Sequence, residues 1–83
     1  MPVVFRDGAL RFYFFSNEGS PLESPHIHVR GGGADAKIWV EPAVEIAESY
    51  GFNPRELSRI VKIVEANRSL ILEAWHDHFG DQR

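Results

Sequence analysis

The first half of the chain carries β-branched and aromatic runs, with a period of two from Ala36 to Glu41, and the second half carries apolar residues every three to four positions. Val3-Val4-Phe5-Arg6 is β-branched and aromatic, and Asp7-Gly8 after it is a two-residue turn signal. Leu10 to Phe15 is again strand-like, with Phe12 and Phe14 on one face and Tyr13 and Phe15 on the other. The two segments predict a hairpin. Ser16 to Pro25 is rich in Ser, Pro, Asn and Gly and reads as a loop. His26 to Arg30 reads as a strand, Gly31-Gly32-Gly33 as a turn, and Ala36 to Glu41 as a second strand of period two. Ala36, Ile38 and Val40 share one face of it, and Lys37, Trp39 and Glu41 share the other. Residues 43 to 47 fit a short edge strand better than one short helix from Pro42 to Gly51.

The period then changes. Asn53 suits a helix N-cap, Pro54 the first helical position, and Glu56, three after the cap, the acidic partner of a capping box. Leu57, Ile60, Val61 and Val64 form one helical face. Asn67 reads as a break and a new cap. Leu72, Trp75 and Phe79 form the stripe of a second helix that Gly80 ends. The expected architecture is α+β in a single domain over residues 1–83. It consists of a small antiparallel sheet of four or five strands, made of two hairpins and covered on one face by two C-terminal helices. The helix stripe is expected on Ile38, Val40 and one face of the Leu10 to Phe15 strand. The remaining aromatics of that strand, together with Trp39, then point away from the helices, and that second face is expected to be closed by self-association, most simply as a C2 homodimer.

Composition narrows the function classes. Nine Lys and Arg against twelve Asp and Glu give a net charge of −3, which argues against a general DNA coater. The chain has no cysteine, so thiolate chemistry, disulfides and thiolate-zinc sites are excluded. Cysteine-free composition suits a reducing cytoplasm. The stretch MPVVFRDGALRFYFF lacks the pattern of a signal peptide, and no run approaches membrane-spanning length. No phosphate loop follows the glycine triplet, and there is no nucleophile elbow.

All four histidines lie in two His-x-His segments, Pro25-His26-Ile27-His28 and Trp75-His76-Asp77-His78. On a strand, His26, His28 and Arg30 share a face. They are the candidate catalytic group, with the histidines as acid and base and Arg30 as a cation for phosphate. His26 and His28 are also the candidate metal ligands, for zinc or another divalent ion, with Glu23, Glu41 or Asp77 needed to complete the set. Without a metal, the chain implies no cofactor. The competing reading is that His26 pins the preceding loop. On a helix, His76 and His78 point apart, and they complement the helix dipole. Arg55, Arg59 and Lys62 lie on one helix face and are candidate binding residues, as is Trp39. The three cations would contact an acidic partner or, as the lesser reading in a net-acidic chain, nucleic-acid phosphate.

Pro25-His26-Ile27-His28-Val29, then Ala36-Lys37-Ile38-Trp39-Val40-Glu41-Pro42, Gly51-Phe52, and Asn67 through Ala74-Trp75 resemble the bacterial domain-of-unknown-function family 4160. Ile27 departs from the aromatic frequent there, and His76-Asp77-His78 extends past the Trp. The resemblance implies a bacterial cytoplasmic protein often encoded beside a second small protein, in an arrangement like a toxin–antitoxin pair. It implies no catalytic residues. The expected function is therefore a binding or regulatory module, such as one half of a toxin–antitoxin-like pair. Its expected partners are a second copy of itself, a small protein from a neighbouring gene, or both, and not a membrane. The alternative is a small hydrolase or ribonuclease-like toxin using His26 and His28.

Overall fold

The computed structural model describes residues 3–15 and 23–80. Five strands form one antiparallel sheet in sequence order: β1 (Val3–Asp7), β2 (Leu10–Tyr13), β3 (His26–Gly31), β4 (Ala34–Trp39) and β5 (Glu45–Tyr50). Two helices follow, α1 (Pro54–Ala66) and α2 (Arg68–Phe79). The α+β architecture is the one expected from the pattern.

Both hairpins form, with shifted turns. Asp7 pairs with Leu10, so Gly8 and Ala9 make the first loop rather than Asp7 and Gly8. Gly8 takes φ of 60°, which places the glycine inside the turn. Gly31 pairs with Ala34, so the second loop is Gly32-Gly33 and β4 starts two residues earlier than expected. The expected loop from Ser16 lies outside the described residues up to residue 22. The segment expected as a strand over residues 43 to 47 is a strand over Glu45–Tyr50 instead. Pro42 has no N–H for a ladder, and the chain bends through residues 41–43 before pairing begins. Gly51, at φ of 89°, ends the strand.

One face of the sheet carries the core. Phe12, Phe14, Ile27, Val29, Ala36, Ile38 and Val40 pack with Ile60 and Val64 of α1 and with Ile71 and Trp75 of α2. Burying this set is the main favourable term in a small domain. α1 starts as expected. Asn53 Oδ1 accepts from Glu56 N–H, and Glu56 Oε1 accepts from Asn53 N–H, both at 2.8 Å. Asn67 does separate the helices, but it is not a side-chain cap. Its Nδ2 donates to the Ile63 carbonyl at 2.8 Å, ending α1 rather than starting α2. α2 turns Ile71 and Trp75 inward, with Leu72 and Phe79 half-buried, so Ile71 replaces Leu72 at the centre of the expected stripe. Arg68 ties the start of α2 to the sheet, donating from Nε to the Val40 carbonyl at 2.9 Å. Among the described residues, no helix is long and apolar enough to cross a membrane.

Candidate functional site

The face away from the helices is built from the alternate residues of each strand. The ladder sets its rows. Arg6, Arg11, Arg30, Asp35 and Tyr50 are successive cross-strand neighbours. Beside them run Val3, Tyr13, His28, Lys37 and Glu48, and then His26, Trp39 and Glu45. His26, His28 and Arg30 therefore share a face, and Trp39 shares it with them.

The rings on this face shield one another. His28 lies 4.4 Å from Phe15 and 5.7 Å from Tyr13 between ring centroids, and Tyr13 lies 5.5 Å from Phe15. His26 stands 5.3 Å from both His28 and Trp39. Lys37 Nζ sits 4.4 Å over the Trp39 ring. Tyr13, which faces away from the helices, is only 5% exposed within the single chain. Close-set aromatic rings and the stem of a lysine cover the rings of this face.

His26 is fully buried at the start of β3. Its Nδ1 donates to the Ser24 carbonyl at 2.9 Å, which fixes the approach of the loop to the strand. Among the described residues, no buried side-chain nitrogen or oxygen lacks a hydrogen-bond partner. His28 is half-buried. The two imidazoles are near enough to share an ion, but two of the three carboxylates expected to complete a site are engaged elsewhere. Glu23 pairs with Lys37 at 3.5 Å, and Glu41 with Arg68 at 3.7 Å. Among the described residues, no group of three or more His, Asp or Glu converges on one point. His76 and His78 are exposed in the last turns of α2, and His78 stacks against Phe14 at 6.2 Å.

Arg55, Arg59 and Lys62 are exposed on α1, in a different layer from the histidines. Arg59 Nη2 reaches Asp7 Oδ1 at 3.2 Å and ties α1 to the end of β1. Sequence reasoning missed Arg6 and Arg11 as members of the open face. The signal was present: a two-residue loop after Asp7 sets the register that places Arg6 opposite Arg11.

A family model described as "Domain of unknown function (DUF4160)" matches residues 9–76. No curated protein and no solved structure matches the chain.

Proposed function

Since the chain belongs to the family described as a domain of unknown function (DUF4160), a membership that brings no activity with it, we propose from the site alone that the protein is a binding module. Its working surface is the open face of the sheet. We extend this to one half of a toxin–antitoxin-like pair in the bacterial cytoplasm, with a small protein partner and self-association through the sheet or its edge. The observation that carries the reading is the composition of that face. Three arginines stand in one cross-strand row beside half-buried His28, Lys37 and Trp39. Arginine and tryptophan are the residue types that most often anchor interfaces.

The second reading is a His-dependent hydrolase or ribonuclease-like toxin, favoured by the shared face of His26, His28 and Arg30. It is the weaker one because His26 is sealed from solvent and its Nδ1 is held by Ser24.

The test is co-purification with the small protein encoded next to the gene, followed by size-exclusion chromatography. Wild type is expected to co-elute with that protein, and Lys37→Glu/Trp39→Glu is expected to elute without it. Ser58→Glu, at an exposed position on α1, is expected to keep the complex. Co-elution that survives the double substitution, or no co-elution at all, sinks the paired-partner reading.

A further inference from the structure

We propose that Arg6, Arg11 and Arg30 form a docking site for the phosphodiester backbone of single-stranded RNA, a proposal that rests on the binding-module reading and names a ligand for its surface. The three residues are consecutive neighbours on β1, β2 and β3, and all are exposed. Like charges set directly opposite one another across strands oppose sheet formation. Among the described residues, none of the three forms an ion pair with a carboxylate, although Asp35 stands opposite Arg30. A ligand with regularly spaced negative charges relieves that repulsion, and the guanidinium fork matches phosphate geometry.

The local shape fits a phosphate. Arg11 and Arg30 line a shallow recess of about 130 Å³ together with Val3 and Tyr13. The Arg30 guanidinium lies over the Tyr13 ring, 6.0 Å from its centroid, which steadies the arginine. Tyr13 is itself buried, so it positions the arginine and offers no stacking surface. Tyr50 closes the same row and is 63% exposed, a ring on which a base can stack. Asp35 stands between Arg30 and Tyr50 in the row, and Glu45 and Glu48 lie on β5, so the phosphates seat over β1 to β3 and only an uncharged base reaches Tyr50.

The ligand is single-stranded because the face belongs to a five-stranded sheet, broader than the two-stranded ribbon that a duplex major groove admits. Both helices pack on the opposite side, so neither is placed to enter a duplex groove from this one. Single-stranded RNA presents its phosphates and its unstacked bases together, the two features that the arginine row and Tyr50 recognise.

The experiment is fluorescence anisotropy of the whole protein with a labelled, unstructured 12-nucleotide RNA across a salt series. Three phosphate contacts predict a slope of log K against log salt of about −2, which is about a 20-fold loss of affinity from 50 to 200 mM salt. Arg11→Gln/Arg30→Gln is expected to bring the slope to about −0.7. Arg55→Gln/Lys62→Gln removes the same charge from α1 and is expected to leave the slope unchanged. Circular dichroism melts confirm that each variant folds. Absence of RNA binding at 50 mM salt overturns the proposal. So does an equal loss in the α1 variant, which marks non-specific attraction. So does equal or tighter binding of a poly-glutamate peptide of matched charge, which marks an acidic protein as the ligand. If RNA fails while the neighbouring protein still co-elutes through this face, the binding-module reading stands without the RNA site.

Discussion

The His26 ring lies 5.0 Å from the Trp75 ring, so the first residue of β3 touches the helical layer while its cross-strand neighbour Trp39 stands on the open face. His26 thus joins the two sides of the sheet around its end. The same ring donates to Ser24 and fixes the loop that precedes the strand. One buried side chain couples loop, sheet and α2.

Truncating that side chain removes the ring packing and leaves the Ser24 carbonyl without its donor. His26→Ala is expected to destabilise the fold by about 2 to 4 kcal/mol. His28→Ala, at a half-buried position, is expected to cost less, about 1 to 2 kcal/mol. Urea denaturation of both variants checks the order. A His28 variant that loses more than the His26 variant contradicts the coupling role.

The capping box at α1 gives an independent expectation. Asn53→Ala removes the acceptor for Glu56 N–H and breaks the reciprocal pair. The loss should be about 1 kcal/mol. Asn53→Ser and Asn53→Asp, which keep an acceptor, should stay near wild type. Asn67→Ala is a useful contrast, because Asn67 donates back to Ile63 and caps no N–H of α2.

The strand and helix periods were legible because each element buries one face and its sequence must carry that face. Asn53-Pro54 with Glu56 fixed the start of α1 for the same local reason. Boundaries were less legible where two local preferences competed. Pro42 delays β5, and the register beyond it depends on pairing with β4 rather than on its own residues. Ile71 rather than Leu72 is buried with Trp75 one turn on, and the inward face of α2 meets Phe14 and Val40, which lie far from it in the sequence. The shared face of His26, His28 and Arg30 follows from strand alternation alone. The burial of His26 does not, because it depends on Trp75 and the loop. The arginine row needed the exact loop length of the first hairpin.

Gly51 carries a backbone requirement as well as a packing one. Its φ is 89°, and a Cβ there would lie 3.0 Å from the Ala34 Cβ and 3.2 Å from the Ala34 Cα. Ala34 is buried and cannot yield without moving β4. Gly51→Ala is expected to cost about 2 to 4 kcal/mol from the positive φ and the overlap together. Gly8→Ala is the control, with a positive φ but open space around its Cβ, and should cost about 1 to 2 kcal/mol. Thermal melts of the two variants check the difference.

Trp39 tests whether the open face closes on a second copy. It is half-buried, flanked by His26 and covered in part by Lys37. It stands opposite Glu45 of β5, away from the arginine row on β1 to β3, so a second copy seated on it leaves that row uncovered. Wild type is expected to elute as a dimer and Trp39→Glu as a monomer with a lower melting temperature. If neither elution volume nor melting temperature changes, Trp39 is an ordinary surface residue and the dimer is not built on this face.

Phe14 joins the end of β2 to α2 within the core. It is 1% exposed and follows β2 directly, where the ladder stops but the alternation continues. Its ring meets Trp75 edge-on at 5.3 Å and Phe79 at 5.7 Å, so it holds the C-terminal half of α2 against the sheet. Phe→Ala in such a setting costs about 3 to 5 kcal/mol, against a total stability on the order of 4 to 12 kcal/mol for a chain of this length. Phe14→Ala is therefore expected to be largely unfolded or to melt far below wild type. Phe14→Leu refills most of the volume without the edge-to-face contact and should remain folded, with a loss of about 1 to 2 kcal/mol. Tryptophan fluorescence during urea denaturation reads both, since Trp75 is the ring that loses its neighbour. A Phe14→Ala protein that unfolds at the wild-type midpoint means that Ile71, Arg68 and the contact of Trp75 with His26 hold α2 without Phe14.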